Sequence, residues 1–199
     1  ALFTAEHFNQ IAIEADKLGL QISVHAIGEG AVKRTLDGYE LAQKTNGQRD
    51  SRHRIEHIEV LHPTDLHRFK QLGVIASMQP LHAPQPHREQ YLFWMQCTGE
   101  HRYDWSFPWQ TLRQAEATLA FSSDYPVVTM NPFLGIDAAI NRQIWKNGLS
   151  NQAQTLEQTL DAYTTGGAYV EFAETQKGQL KEGMLADVVM LNDNIFKVG

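Results

Sequence analysis

Three alternating apolar runs along the chain each end on a polar side chain able to do chemistry. Ile22-Ser23-Val24 closes on His25, Arg54-Ile55-Glu56 on His57, and Leu119-Ala120-Phe121-Ser122-Ser123 on Asp124. A period of two marks strands and a period near 3.6 marks helices. Between the runs the period changes. Thr4 reads as an N-cap, with Phe8, Ile11, Ala12, Ala15 and Leu18 on one helical stripe that Gly19 ends. Leu20 to Ala26 predicts a strand, and Ala31, Leu36, Tyr39, Leu41 and Ala42 predict a helix stopped by Asn46-Gly47. Strands over 52–58 and 74–78 flank a short helix carrying Leu66, Phe69 and Leu72. Strand alternating with helix predicts a parallel sheet with right-handed crossovers, an α/β fold.

Residues 79–110 break this rhythm. Pro80, Pro84, Pro86 and Pro108 punctuate a stretch rich in His, Gln, Tyr and Trp, with a short helix expected near Glu89 to Met95. A long polar and aromatic loop after a strand is the expected place for a lid or substrate loop. A helix from Trp109 to Ala115, a fourth strand over 118–122, and helices over 134–145 and from the Thr155 cap to Tyr169 follow. Lys177 to Leu180 and Ala186 to Leu191 read as an antiparallel strand pair outside the parallel sheet.

Composition narrows the function classes. The 199 residues are 42% hydrophobic and 20% charged, ordinary for a globular domain. A net charge of −6 with no basic run argues against nucleic acid and anionic membranes as partners. No apolar run reaches the ~18 residues of a membrane span. The single cysteine, Cys97, forbids an internal disulfide and fits a reducing, cytoplasmic setting. Gly28-Glu29-Gly30 lacks the third glycine of a dinucleotide loop, because Lys33 stands there.

Side chains at the carboxyl ends of parallel strands face the mouth where α/β folds bind ligands. Two imidazoles and a carboxylate there, His25, His57 and Asp124, suit a divalent metal, and three unrelated polar strand ends are the alternative. Gln79 and His82 follow the third strand and are candidates to face a substrate, with loop shaping as the alternative. Arg54 is expected to pair with Glu56 or Glu59 in a structural ion pair, with a place on the outer side of the sheet as the alternative. Trp94, Trp105 and Trp109 either line an apolar pocket or pack the loop. His7, His53, His62, His67, His87 and His101 read as solvated surface residues.

Five stretches fall in a familiar order: His25-Ala26-Ile27-Gly28-Glu29-Gly30, Arg52-His53-Arg54-Ile55-Glu56-His57, Ser77-Met78-Gln79-Pro80, Ser122-Ser123-Asp124-Tyr125-Pro126, and Lys177-Gly178-Gln179-Leu180 with Gly183-Met184-Leu185-Ala186-Asp187. The set resembles the metal-dependent amidohydrolase superfamily, in particular its YtcJ-like group that includes N-substituted formamide deformylases. The resemblance implies the carboxyl-terminal half of a (β/α)8 TIM-type barrel, strands five to eight, over residues 1–175. It implies part of an accessory β-sandwich over 176–199. It makes His25, His57 and Asp124 metal ligands, Asp124 also the catalytic base, and Zn²⁺ the expected ion. The expected reaction is hydrolysis of a C–N bond in a small amide or cyclic amide by a metal-activated water. The family's strand-one His-x-His pair has no counterpart in a strand here, so the chain alone is expected to be inactive. Glu29 stands where the group usually carries Asp. A half-barrel with open edges is expected to self-associate into a homo-oligomer. The competing expectations are a catalytically silent fragment or binding protein on the same scaffold, and a barrel esterase or deaminase.

Overall fold

The computed structural model describes residues 2–85 and 90–197. Four parallel strands, β1 (Ser23–Ala26), β2 (Arg54–His57), β3 (Ile75–Met78) and β4 (Leu119–Phe121), lie in sequence order across one sheet. Ser23 pairs with Arg54, Arg54 with Ile75, and Ala76 with Leu119. Adjacent order and uniform direction require a crossover after each strand. These are supplied by α2 (Glu29–Asn46), α3 (Arg68–Leu72) and α5 (Trp109–Gln114), with α1 (Ala5–Lys17) packed on α2. The α/β reading and its parallel sheet therefore hold.

Local signals set the ends of these elements. The Thr4 hydroxyl accepts from the His7 N–H and caps α1. Gly73 adopts φ 64°, the left-handed conformation that ends α3. On one face of the sheet Ala26, Ile55, Ala76, Met78, Leu119 and Phe121 join the core with Leu36, Tyr39, Phe69, Trp109 and Leu112. The opposite face follows the other parity: it is polar at Ser23, Arg54, Glu56 and Ser77, while Ile75 and Ala120 on it pack against Val170.

Several expectations change. The predicted helix over 134–145 is α6 (Pro132–Ile140); beyond it the Arg142 guanidinium turns inward and donates to the Phe107 and Ser106 carbonyls at 2.6 and 2.9 Å. The predicted helix to Tyr169 splits into α7 (Leu156–Tyr163) and α8 (Thr165–Val170). The Thr164 and Thr165 hydroxyls donate to the Leu160 and Asp161 carbonyls of the preceding turn, which favours a bend there. Gly166 then approaches β4 so closely that a Cβ would lie 2.5 Å from the Leu119 carbonyl oxygen.

The predicted antiparallel pair at 177–191 is not formed: among the described residues this segment carries no strand. Leu180, Val188, Val189 and Met190 are exposed. An alternating run becomes a strand only against a partner edge, and none lies beside it here. The expected loop helix is α4 (Gln90–Thr98), while Glu89 and His87 lie outside the described residues. Trp94 and Trp109 pack the loop against Phe107 instead of lining a cavity, and the Trp105 carbonyl accepts from the Leu61 N–H. Among the described residues no helix is long and apolar enough to cross a membrane.

Candidate functional site

The strand order brings the carboxyl ends of β1 to β4 to one rim. His25 lies within β1 near its end, His57 ends β2, Gln79 follows β3, and Asp124 sits three residues beyond β4. His25 belongs to the polar face, whereas His57 has the parity of the buried Ile55. His57 reaches the rim because its backbone turns to φ 81°, and Asp124 takes φ 59°. Non-glycine residues at positive φ cost about 1–3 kcal/mol and persist where surrounding structure holds them, often at functional sites.

His57 is the hub. Its Nε2 lies 2.7 Å from His25 Nδ1, and its Nδ1 lies 2.9 Å from Gln79 Oε1. Its ring stacks against His82 at 5.7 Å between centroids. His82 Nε2 is 3.8 Å from an Asp124 carboxylate oxygen. One donor atom from each of His57, His82 and Asp124 falls within 4.8 Å of the others. His82, expected to face substrate, thus completes a ligand-like group with His57 and Asp124, while His25 touches that group through His57. Pro80 opens the single helical turn Pro80–His82, and this turn aims the imidazole back at the rim.

Among the described residues His82 Nε2 is buried without a hydrogen-bond partner. Such an atom is costly to leave unmet and is the expected state of a nitrogen shaped to meet an ion. Burial holds the His82 imidazole below its ordinary range; the Asp124 carboxylate pulls the other way and His57 reinforces the lowering. A neutral imidazole is the form that ligates a metal. The residues present therefore fit a divalent ion, with borderline nitrogen and hard oxygen donors of the kind zinc accepts.

A polar network underlies the rim. Glu56 accepts from Arg54 Nε at 2.7 Å and from the Ser23 hydroxyl at 2.9 Å, the pairing expected for Arg54. Burial would raise the Glu56 carboxyl, but hydrogen bonds from Ser77, Arg54 and Ser23 outweigh it and hold it below its usual range. Gln79 Nε2 donates to the Ser122 hydroxyl at 3.0 Å and to Glu56 at 3.3 Å. Glu59 accepts from Trp94 Nε1 at 3.2 Å, and its burial pushes the carboxyl upward. Glu29, the first residue of α2, is held by Arg102 at 2.9 Å from the loop opposite.

Sequence reasoning missed the part Glu56 and Ser122 take in this network, although Glu56 shares the parity of His25 across the sheet and Ser122 that of Asp124. It also placed His53 on the surface. His53 is 1% exposed; its Nδ1 accepts from the Ile22 N–H and its Nε2 contacts Asp16 at 3.1 Å. It shares the parity of Ile55, which was the available signal. His7, His62, His67 and His101 are exposed.

The chain is 35% identical to Protein LONG AFTER FAR-RED 3 of Arabidopsis thaliana, covering 95% of this chain and 32% of that protein. It is 27% identical to YtcJ of Bacillus subtilis (strain 168), over 97% and 36% respectively. It is 24% identical to an N-substituted formamide deformylase of Arthrobacter pascens, over 96% and 35%. The crystal structure of an uncharacterized metal-dependent hydrolase from Pyrococcus furiosus superposes with a TM-score of 0.76 at 31% identity, over 96% of this chain and 37% of that one. The chain thus spans about a third of the length of the relatives it matches. Its residues 1–199 match the amidohydrolase family throughout, and this protein belongs to that family.

Proposed function

We propose that this chain supplies part of the metal site of a hydrolase that cleaves C–N bonds in small amides or cyclic amides. The observation that carries the reading is the group His57, His82 and Asp124, together with a buried His82 nitrogen that has no hydrogen-bond partner among the described residues. His57, His82 and Asp124 would hold the ion, and His25 would join them once its hydrogen bond to His57 opens. When bound, zinc supplies Lewis acidity toward a carbonyl and a water of lowered pKa, near ~7. Asp124 accepts the proton of the attacking water and passes it to the departing nitrogen as general base and then general acid. Neutral His57 and His82 contribute lone pairs and no charge, so Asp124 is the one anion of the group. The half-barrel and accessory sandwich remain part of this proposal. The similarity to a formamide deformylase supports an amide over an ester or a deaminated ring.

The 199-residue chain by itself binds metal weakly and turns over poorly on this reading, because few donors converge. The edges presented by β1 and β4 would drive its self-association. The experiment is metal analysis of the full-length protein, followed by a panel of matched amides and esters. Bound zinc and amide turnover abolished by Asp124→Asn are expected. A protein without zinc that melts at the same temperature with zinc added would overturn the metal reading and favour a silent scaffold. Turnover of esters alone would overturn the amide assignment.

A further inference from the structure

The polar face of the sheet meets the rim through one buried side chain. Gln79 is 3% exposed, and its amide can lie in either of two orientations. In one, Nε2 faces Glu56 Oε2 and the Ser122 hydroxyl while Oε1 faces His57 Nδ1. In the other, the amide oxygen would face a carboxylate oxygen, two acceptors with no hydrogen between them. Glu56 cannot turn away, because Arg54 and Ser23 hold its other oxygen. The amide orientation is therefore decided by Glu56, whose side-chain hydrogen bonds go to Arg54, Ser23 and Gln79 and not to a rim imidazole.

We propose that Glu56 is a positioning residue: acting through Gln79, it commits His57 to carrying its proton on Nδ1 and presenting the lone pair of Nε2 to the rim. A nitrogen facing an amide oxygen at 2.9 Å must donate. In a neutral imidazole the other nitrogen is then the acceptor. His57 Nε2 is the atom 2.7 Å from His25, so His25 Nδ1 is the donor between them. The opposite tautomer would put an N–H at the rim, where it could not meet an ion. Fixing the tautomer from behind is the usual task of an outer partner of a ligating histidine, and losing one typically costs about 10–100-fold in metal affinity. In that consequence the inference rests on the metal reading above; the tautomer itself does not.

The test uses the full-length, metal-stripped protein with ¹⁵N-labelled histidine, His57 being identified by the signals missing from His57→Asn. At pH 8 the ring nitrogens of wild type should show one neutral tautomer, protonated at Nδ1. Glu56→Leu and Gln79→Leu should each give a tautomer mixture and a zinc affinity lower by about 10–100-fold. The exchange Glu56→Gln with Gln79→Glu keeps an acceptor toward His57 and a donor between positions 56 and 79. It should restore both the single tautomer and the affinity. Wild-type His57 protonated at Nε2 overturns the proposal, as does a tautomer unchanged in both leucine variants. Should those variants not fold, the wild-type spectrum and the exchanged pair still decide. A wild type that binds no zinc while His57 holds the Nδ1 proton defeats the metal reading and leaves the positioning role standing.

Discussion

Asp16 gives a direct measure of what joins the helical layer to the sheet. Its carboxylate is 1% exposed and takes three donors: Arg49 Nε at 2.8 Å, Asn46 Nδ2 at 2.9 Å and His53 Nε2 at 3.1 Å. Asp16 lies at the end of α1, and its donors come from the end of α2, the loop after it and the approach to β2. Asp16→Ala frees Arg49 and Asn46 to meet water, since both reach the surface, and their loss is small. His53 has no such recourse. Its Nδ1 already accepts from the Ile22 N–H, so the Nε2 hydrogen cannot move and is left buried and unpaired. An orphaned donor costs about 1–3 kcal/mol, and a lost bond to a charge about 1.5–3 kcal/mol. The expected penalty is about 3 kcal/mol, read as a lower urea midpoint at constant slope. For a chain of this size that is a fall of about 6–12 °C in melting temperature. Burial opposes ionisation of Asp16, but Asn46, Arg49 and His53 outweigh it and hold the carboxyl below its ordinary range. The folded state therefore releases this proton more readily than the unfolded chain. The stabilisation is complete above the unfolded value near ~4 and is lost as pH falls through the lower folded value. Asp16→Asn should flatten that acid segment of the stability profile. A cost under about 1 kcal/mol for Asp16→Ala, or an unchanged acid slope in Asp16→Asn, would refute the reasoning.

Three further outcomes are expected. Gly166→Ala forces a methyl to 2.5 Å from the Leu119 carbonyl oxygen and should cost about 1–3 kcal/mol by urea titration. Arg142→Met leaves the Phe107 and Ser106 carbonyls unpaired, partly offset by removing a guanidinium that burial pushes down to about 9. A net loss near 2 kcal/mol is expected, and a more stable variant would show that the charge costs more than its bonds return. His82→Ala in the full-length protein should weaken zinc binding by more than the about 10–100-fold of an outer partner; calorimetry finding wild-type affinity would remove His82 from the ligand group.

β1 and β2 were legible because they alternate, whereas β3 and β4 were legible as short apolar runs, buried on both faces. The caps at Thr4 and Thr155 were legible because capping is local. The placement of His25, His57 and Asp124 at strand ends followed from the same pattern. What was not legible depends on partners far along the chain. Nothing near Arg142 announces that it will leave its helix for carbonyls 35 and 36 residues back. His82 lies in a loop with no period, so its approach to Asp124 follows from tertiary packing alone. Glu56 and Gln79 are 23 residues apart, and their bond appears only once β2 and β3 are in register. The run from Ala186 to Leu191 alternates like a strand, and its pattern says nothing of whether an edge will be there to receive it.

The segment after β2 is stitched to the far end of the long excursion that leaves β3. Leu61 N–H donates to the Trp105 carbonyl and Phe107 N–H to the Glu59 carbonyl, each at 2.9 Å, and Arg142 clasps the same turn from behind. The far stem of the excursion is thereby moored by its backbone to the segment after β2. The excursion's middle can change length and composition during descent without dragging on the histidines. Relatives could thus diversify in what they admit while inheriting one unchanged floor. Swapping that middle between paralogues is the natural first step in retargeting the scaffold.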